Sequence, residues 1–228
     1  MPPSSSTPDL FDRLVAGAQP DWSAYVDHAF VRGMGDGTLP QECFRHYLVQ
    51  DYLFLIHFAR AYALAIYKGR DLREMRASLN VLKAILDMEM DLHVGLCAGW
   101  GLPAAELEQA AESKATMAYT RYVLETGLRG DLLDLHVALS PCIIGYAEIG
   151  RRLAAVPGAI DDANPYRVWI AEYAGDAYQE VARAARENLD RLAADGMTEA
   201  RFPRLLTIFR QASRLEADFW EMGMTLAG

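Results

Sequence analysis

Cysteine is scarce in this chain: Cys43, Cys97 and Cys142 are three thiols in 228 residues, far apart and unevenly spaced. They build neither a disulfide framework nor a CxxC metal site, so a reducing compartment is expected. Basic residues are few as well, with 22 Lys and Arg against 31 Asp and Glu and a net charge of -9. That balance argues against nucleic acid or an anionic membrane surface as partner and favours a small molecule, neutral or cationic. No run approaches the ~18 apolar residues of a membrane span. The N-terminal MPPSSSTPDL lacks a basic region leading into an apolar stretch, so no signal peptide is expected and the protein reads as cytoplasmic. The glycine-rich GMGDG at 33–37 has neither a preceding strand nor a GK[ST] or GxGxxG frame. It reads as a tight turn, not a phosphate cradle.

Period-two alternation is also missing, and helical spacing takes its place. The first seven residues, rich in Pro and Ser, read as a disordered leader, with one helical domain over residues 8–228. Short helical patterns begin at Asp9 and run from Asp21 through Phe30, with a loop over 31–40. From Pro40 the apolar spacing predicts a helix of some 28 residues stopped by Gly69, and another follows from Asp71 to Gly101. Further helices are expected over 103–112, 114–128, 131–154, 165–194 and 198–226. The fold class is all-α, an irregular bundle of long helices. At 52% hydrophobic residues the chain can fill a sizeable core.

Candidate functional residues are those that break the apolar stripes. Asp51 falls in a stripe with Tyr47, Phe54, Leu55 and Phe58, and a buried carboxylate needs either donors around it or a ligand. Glu216 falls among Phe209, Ala212, Phe219, Trp220 and Gly223. Desolvation there raises a carboxyl's pKa towards the range of a general acid or base, although a buried Glu bonded to a Tyr is the plainer structural alternative. In LSPCIIGYAEIG, Cys142 and Tyr146 lie four apart on one helical face, either as ordinary core or as a nucleophile facing a bound ring. Glu89 and His93, one turn apart, have the spacing of a metal pair, but a di-iron bundle needs a second such motif. The histidines read as structural.

Four stretches resemble the TenA family, thiaminase II or aminopyrimidine aminohydrolase, across nearly the whole chain. They are GMGDGTLP at 33–40, YLVQDYLFLIHFAR at 47–60, LSPCIIGYAEIG at 139–150 with YRVWIAEYAGD at 166–176, and LEADFWEM at 215–222. The resemblance implies a haem-oxygenase-like bundle, a homotetramer and no metal or organic cofactor. It places the nucleophile on Cys142, the catalytic acid on Glu216 and the pyrimidine-binding carboxylate on Asp51. Ring contacts fall on Phe54, Tyr119, Tyr146 and Tyr173, with Tyr122 competing for the place of Tyr119. Phe54 stands where members often have Tyr. The activity implied is release of ammonia from 4-amino-5-aminomethyl-2-methylpyrimidine, or cleavage of thiamin. The alternatives are a metal-dependent or cofactorless oxidase of the same fold, including one like pyrroloquinoline-quinone synthase, and a non-enzymatic regulatory protein.

Overall fold

The helices begin where short polar side chains can cap them. Asp9, Asp71, Ser113 and Asp131 each accept the backbone N–H three residues ahead, at 2.8, 2.8, 3.1 and 3.0 Å. Each thereby satisfies one of the amides a helix start leaves unpaired. The computed structural model describes residues 9–228, and the leader expected over residues 1–7 lies outside them. Among the described residues the regular elements are all helical.

Three short helices open the fold: α1 (Leu10–Gly17), α2 (Asp21–Val26) and α3 (Ala29–Gly35). The long α4 (Gln41–Lys68) follows, then α5 (Leu72–Ala84), α6 (Met90–Gly99) and α7 (Ala104–Gln109). α8 (Lys114–Arg129) and α9 (Leu132–Ser140) precede α10 (Tyr146–Ala154), α11 (Arg167–Ala174), α12 (Asp176–Gly196) and α13 (Phe202–Thr225). α4 packs against α5, α6, α8 and α13, while α13 also packs on α2, α8 and α9. α4 and α13 are therefore the central pair, and Asp51 and Glu216 sit on them.

Two of the expected helices contain a wider turn. Ile85–Glu89 joins α5 to α6 as a π-helix, and Pro141–Gly145 does the same between α9 and α10. Pro141 has no N–H for the Val137 carbonyl, and the Ser140 hydroxyl bonds that oxygen instead at 2.8 Å. π turns of this kind are frequent at functional sites.

Three expectations are corrected. The loop placed over 31–40 is helical through Gly35, because its glycines serve packing there: a Cβ on Gly35 would sit 2.9 Å from Leu153. The helix expected over 165–194 breaks at Gly175, which ends α11 and starts α12 in an extended conformation. The segment Leu132–Ala154 does reach a membrane span's length and composition, with a mean hydropathy of 1.4 over its most apolar window. Its burial explains why: 83% of that window is inside the bundle, so it is a core helix.

Candidate active site

The two anomalous carboxylates are both buried, and neither has a Lys or Arg partner among the described residues. Glu216 accepts a 2.7 Å hydrogen bond from the Tyr119 hydroxyl, and burial pushes its carboxyl up to about 8. Its proton is therefore held far above the ordinary carboxylate range. Asp51 accepts from the Tyr47 hydroxyl at 3.2 Å, with His93 Nδ1 3.4 Å from the same oxygen. Burial raises its pKa, and His93 and Tyr47 pull it back. Arg45 and Arg60, neighbours along the sequence, go elsewhere, to the Trp100 carbonyl and to His57.

Cys142 rides on the π turn after α9. Its side chain is half-buried. Burial and the charges of Glu216, Asp51 and Glu89 push its thiol well above the usual range. A thiol so placed is neutral until a base takes its proton or a cation enters beside it.

Aromatic rings wall the cluster in two groups. Phe54 stacks on Tyr119 with centroids 5.2 Å apart and meets Phe219 edge-on at 6.0 Å. Tyr146, Trp169, Tyr173 and Tyr178 form the second group, with Trp169 and Tyr173 only 4.3 Å apart. Tyr47 touches both, lying 6.0 Å from Phe219 and 6.5 Å from Trp169. Two glycines allow this closeness. A Cβ on Gly145 would fall 2.6 Å from the Tyr25 ring, and one on Gly150 would fall 2.5 Å from the Tyr173 backbone. Trp220, against Tyr146 at 5.4 Å, holds the one buried side-chain donor without a partner among the described residues. A separate surface cleft of about 270 Å³, floored by Val31, Gly35 and Leu153, does not touch this cluster.

The sequence model of the TENA/THI-4/PQQC family matches residues 16–226. This chain belongs to that family. An aminopyrimidine aminohydrolase of Halalkalibacterium halodurans is 43% identical over 209 residues, 92% of each chain. A solved structure from a Silicibacter species, described as a TenA family transcription regulator, is 45% identical with a TM-score of 0.87, covering 95% of this chain and 96% of that one. A domain from Shewanella denitrificans with a haem-oxygenase-like fold superposes with a TM-score of 0.75 at 14% identity over 97% of this chain and 94% of that one. The fold is thus the haem-oxygenase-like all-α bundle.

In this TENA/THI-4/PQQC family member the residues singled out from sequence meet in space. Asp51, Cys142, Tyr119, Tyr146 and Glu216 act on one another electrostatically, and Phe54 and Tyr173 join them through ring contacts. Of the two competing tyrosines, Tyr119 bonds Glu216, while Tyr122 reaches the Ile208 carbonyl at 3.4 Å. Glu89 and His93 do not act as a pair. His93 turns to Asp51, and among the described residues no three His, Cys, Asp or Glu side chains are grouped to hold a metal. Sequence reasoning missed His93 as a partner of Asp51, Tyr47 as its donor, and Glu89 as a third acid of the cluster. Tyr47 was readable, four residues before Asp51 on the same face. His93 was not, because its contact crosses between helices.

Proposed function

We propose that the chain is an aminopyrimidine aminohydrolase of thiamin salvage, converting 4-amino-5-aminomethyl-2-methylpyrimidine to the hydroxymethyl pyrimidine, and able to cleave thiamin. One observation carries the reading: Glu216, a buried carboxyl whose pKa desolvation raises, accepts a 2.7 Å hydrogen bond from Tyr119 in the same cluster as the half-buried thiol of Cys142. The 43% identical relative named for this activity supports it.

The Cys142 sulfur adds to the electron-poor ring, and Glu216 gives its proton to a ring nitrogen as the bond forms. The carboxylate so produced takes the proton from sulfur, so no free thiolate has to survive among the acids. The adduct expels ammonia from the exocyclic methylene carbon, water adds there, and the sulfur leaves as the ring regains aromaticity. Asp51 accepts from the ring's amino group, and Phe54, Tyr119, Tyr146 and Tyr173 flank the ring and exclude water. Neither the leaving amine, protonated before it departs, nor the thiazolium of thiamin is repelled by a site whose charges are acidic. Mixing the protein separately with the aminomethyl pyrimidine and with thiamin, and measuring ammonia and thiazole, tests the proposal. Release of neither would end it.

The net charge of -9 weighs against carrying over the description of the Silicibacter relative as a transcription regulator, since an acidic chain is repelled by the phosphate backbone. A homotetramer in the cytoplasm completes the reading. In its support, Leu72, Met75, Leu79 and Leu86 are exposed at spacings of three, four and seven, an apolar stripe suited to a second helix. A light-scattering mass near 25.3 kDa would overturn the assembly.

A further inference from the structure

His93 is buried between Asp51 and the α4 backbone. Its Nε2 lies 2.9 Å from the Leu48 carbonyl oxygen, which can only accept, so Nε2 carries a hydrogen. Its Nδ1 lies 3.4 Å from Asp51 Oδ2. A bare Nδ1 lone pair facing a carboxylate would oppose two acceptors in a dry interior, so one proton lies between them.

The hydrogen bonds around Asp51 say where that proton belongs. The Tyr47 oxygen accepts the Trp169 indole N–H at 3.2 Å and gives its own hydrogen to Asp51 Oδ2 at 3.2 Å. Oδ2 thus accepts from Tyr47 and has the His93 ring nitrogen 3.4 Å away, within charge-pair distance, while Oδ1 has no protein partner among the described residues. The other titratable groups acting with Asp51 are Glu89 on the π turn before α6, Cys97 on α6, Cys142 and Tyr146 around α10, Tyr173 and Tyr178 on α11 and α12, and Glu216 on α13. None of them can be positive. His93 can.

We propose that His93 is the positioning residue of the site, carrying the positive charge that keeps Asp51 an ionised acceptor, with Oδ2 anchored and Oδ1 presented to the ligand's amino group. The ligand part of this inference rests on the aminopyrimidine reading of Asp51. The charge part does not.

The decisive variant is His93→Gln, which retains a donor for the Leu48 carbonyl and loses the charge. Calorimetric binding of the neutral hydroxymethyl pyrimidine is compared between wild type and His93→Gln at each pH from 7 to 9.5, so that the titration of Glu216 near 8, common to both, cancels. In His93→Gln it weakens ~10-fold at pH 7 and recovers as pH rises, because Asp51 without its counter-charge ionises only at higher pH. An equal loss at every pH, or no loss, overturns the proposal. Thermal melting supplies a readout that needs no ligand. His93→Gln lowers the melting temperature of wild type but not of Asp51→Asn, and additive losses overturn the proposal. If His93→Gln does not fold, the Asp51→Asn/His93→Gln double variant is expected to fold, and its failure overturns the proposal too. Wild type that binds no pyrimidine at any pH refutes the aminopyrimidine reading, and the melting cycle still decides the role of His93.

Discussion

Four carboxylates of this protein are equally hidden from solvent, yet they fall into two kinds. Glu74 and Asp134 are 2% and 3% exposed, and Asp51 and Glu216 are 5% and 1%. Glu74 is clasped by Arg70 at 2.6 Å and Arg191 at 3.1 Å, and Asp134 by Arg201 and Arg204, both at 2.9 Å. Among the described residues Asp51 and Glu216 have no Lys or Arg partner, and Tyr or His side chains hold them instead. The guanidiniums hold Glu74 down at about 2, whereas burial carries Glu216 up to about 8. Burial alone therefore does not mark an acid as functional. The missing guanidinium does, because a carboxyl not locked to an arginine stays open to a ligand, as at Asp51, or to a proton, as at Glu216.

The strongest way to sharpen that contrast is to remove the group the unpaired acids serve. Cys142→Ser should lower turnover on the order of 10³-fold or more while leaving the melting temperature nearly unchanged, since an alcohol is a far poorer nucleophile at this site. Turnover above about a tenth of wild type would refute the covalent role. Cys43 and Cys97 are buried, and their Ser variants should retain turnover.

Next in size, the two unpaired acids should part company in steady-state kinetics. Glu216→Gln keeps the shape and the Tyr119 contact but moves no proton, so kcat should fall ~10²–10⁴-fold with KM little changed. Asp51→Asn should chiefly raise KM. If Asp51→Asn abolishes turnover at saturation while Glu216→Gln changes KM alone, the roles are reversed.

The clasped acids should respond in the opposite currency. Glu74→Gln leaves two guanidiniums without their shared anion, and losing one partner of a buried pair typically costs about 3–5 kcal/mol. Arg70 and Arg191 reach solvent, with side chains 55% and 30% exposed, so a loss nearer ~2 kcal/mol is expected. Urea unfolding measures it, and kcat and KM should stay at wild-type values. A drop in kcat would place Glu74 with the catalytic set and dissolve the distinction.

This distinction was only half legible in the sequence. Asp51 and Glu216 showed themselves because each interrupts an apolar stripe on its own helix, which is local information. That Tyr119 rather than Tyr122 meets Glu216 depends on how α8 rotates against α13, and two tyrosines three residues apart carry no mark of it. Glu89 and His93 looked like a pair because a helical turn separates them. The π turn ending at Glu89 and a contact with Leu48, 45 residues away, gave each a separate place. Helix extents were readable where caps and glycines agreed with the apolar period, as in α4. They failed where glycine served packing, at Gly35, or broke a helix without a polar cap, at Gly175. The arginines that distinguish Glu74 from Glu216 come partly from α12 and could be assigned only once the helices were packed.

The smallest expected effect is the pH dependence of stability, where the two kinds of acid should bend opposite limbs of the curve. Glu216 has a folded pKa of about 8 against an ordinary 4.5, so between those values the folded state holds a proton the unfolded state has lost. Its contribution is complete below about 4.5 and is lost as pH rises through 8. Glu74, held at about 2, does the reverse: its contribution is complete above 4.5 and is lost as pH falls through 2. Glutamine at either position cannot titrate. Relative to wild type, Glu216→Gln should therefore gain stability from pH 5 to pH 9, on the order of 1–2 kcal/mol after relaxation around the site. Glu74→Gln should run parallel to wild type over that range and converge on it only below pH 4. Urea midpoints at pH 3, 5, 7 and 9 read both limbs. A Glu216→Gln curve parallel to wild type from pH 5 to 9 would mean that the carboxyl is already ionised at neutral pH, and the proton assigned to it would have to come from another group.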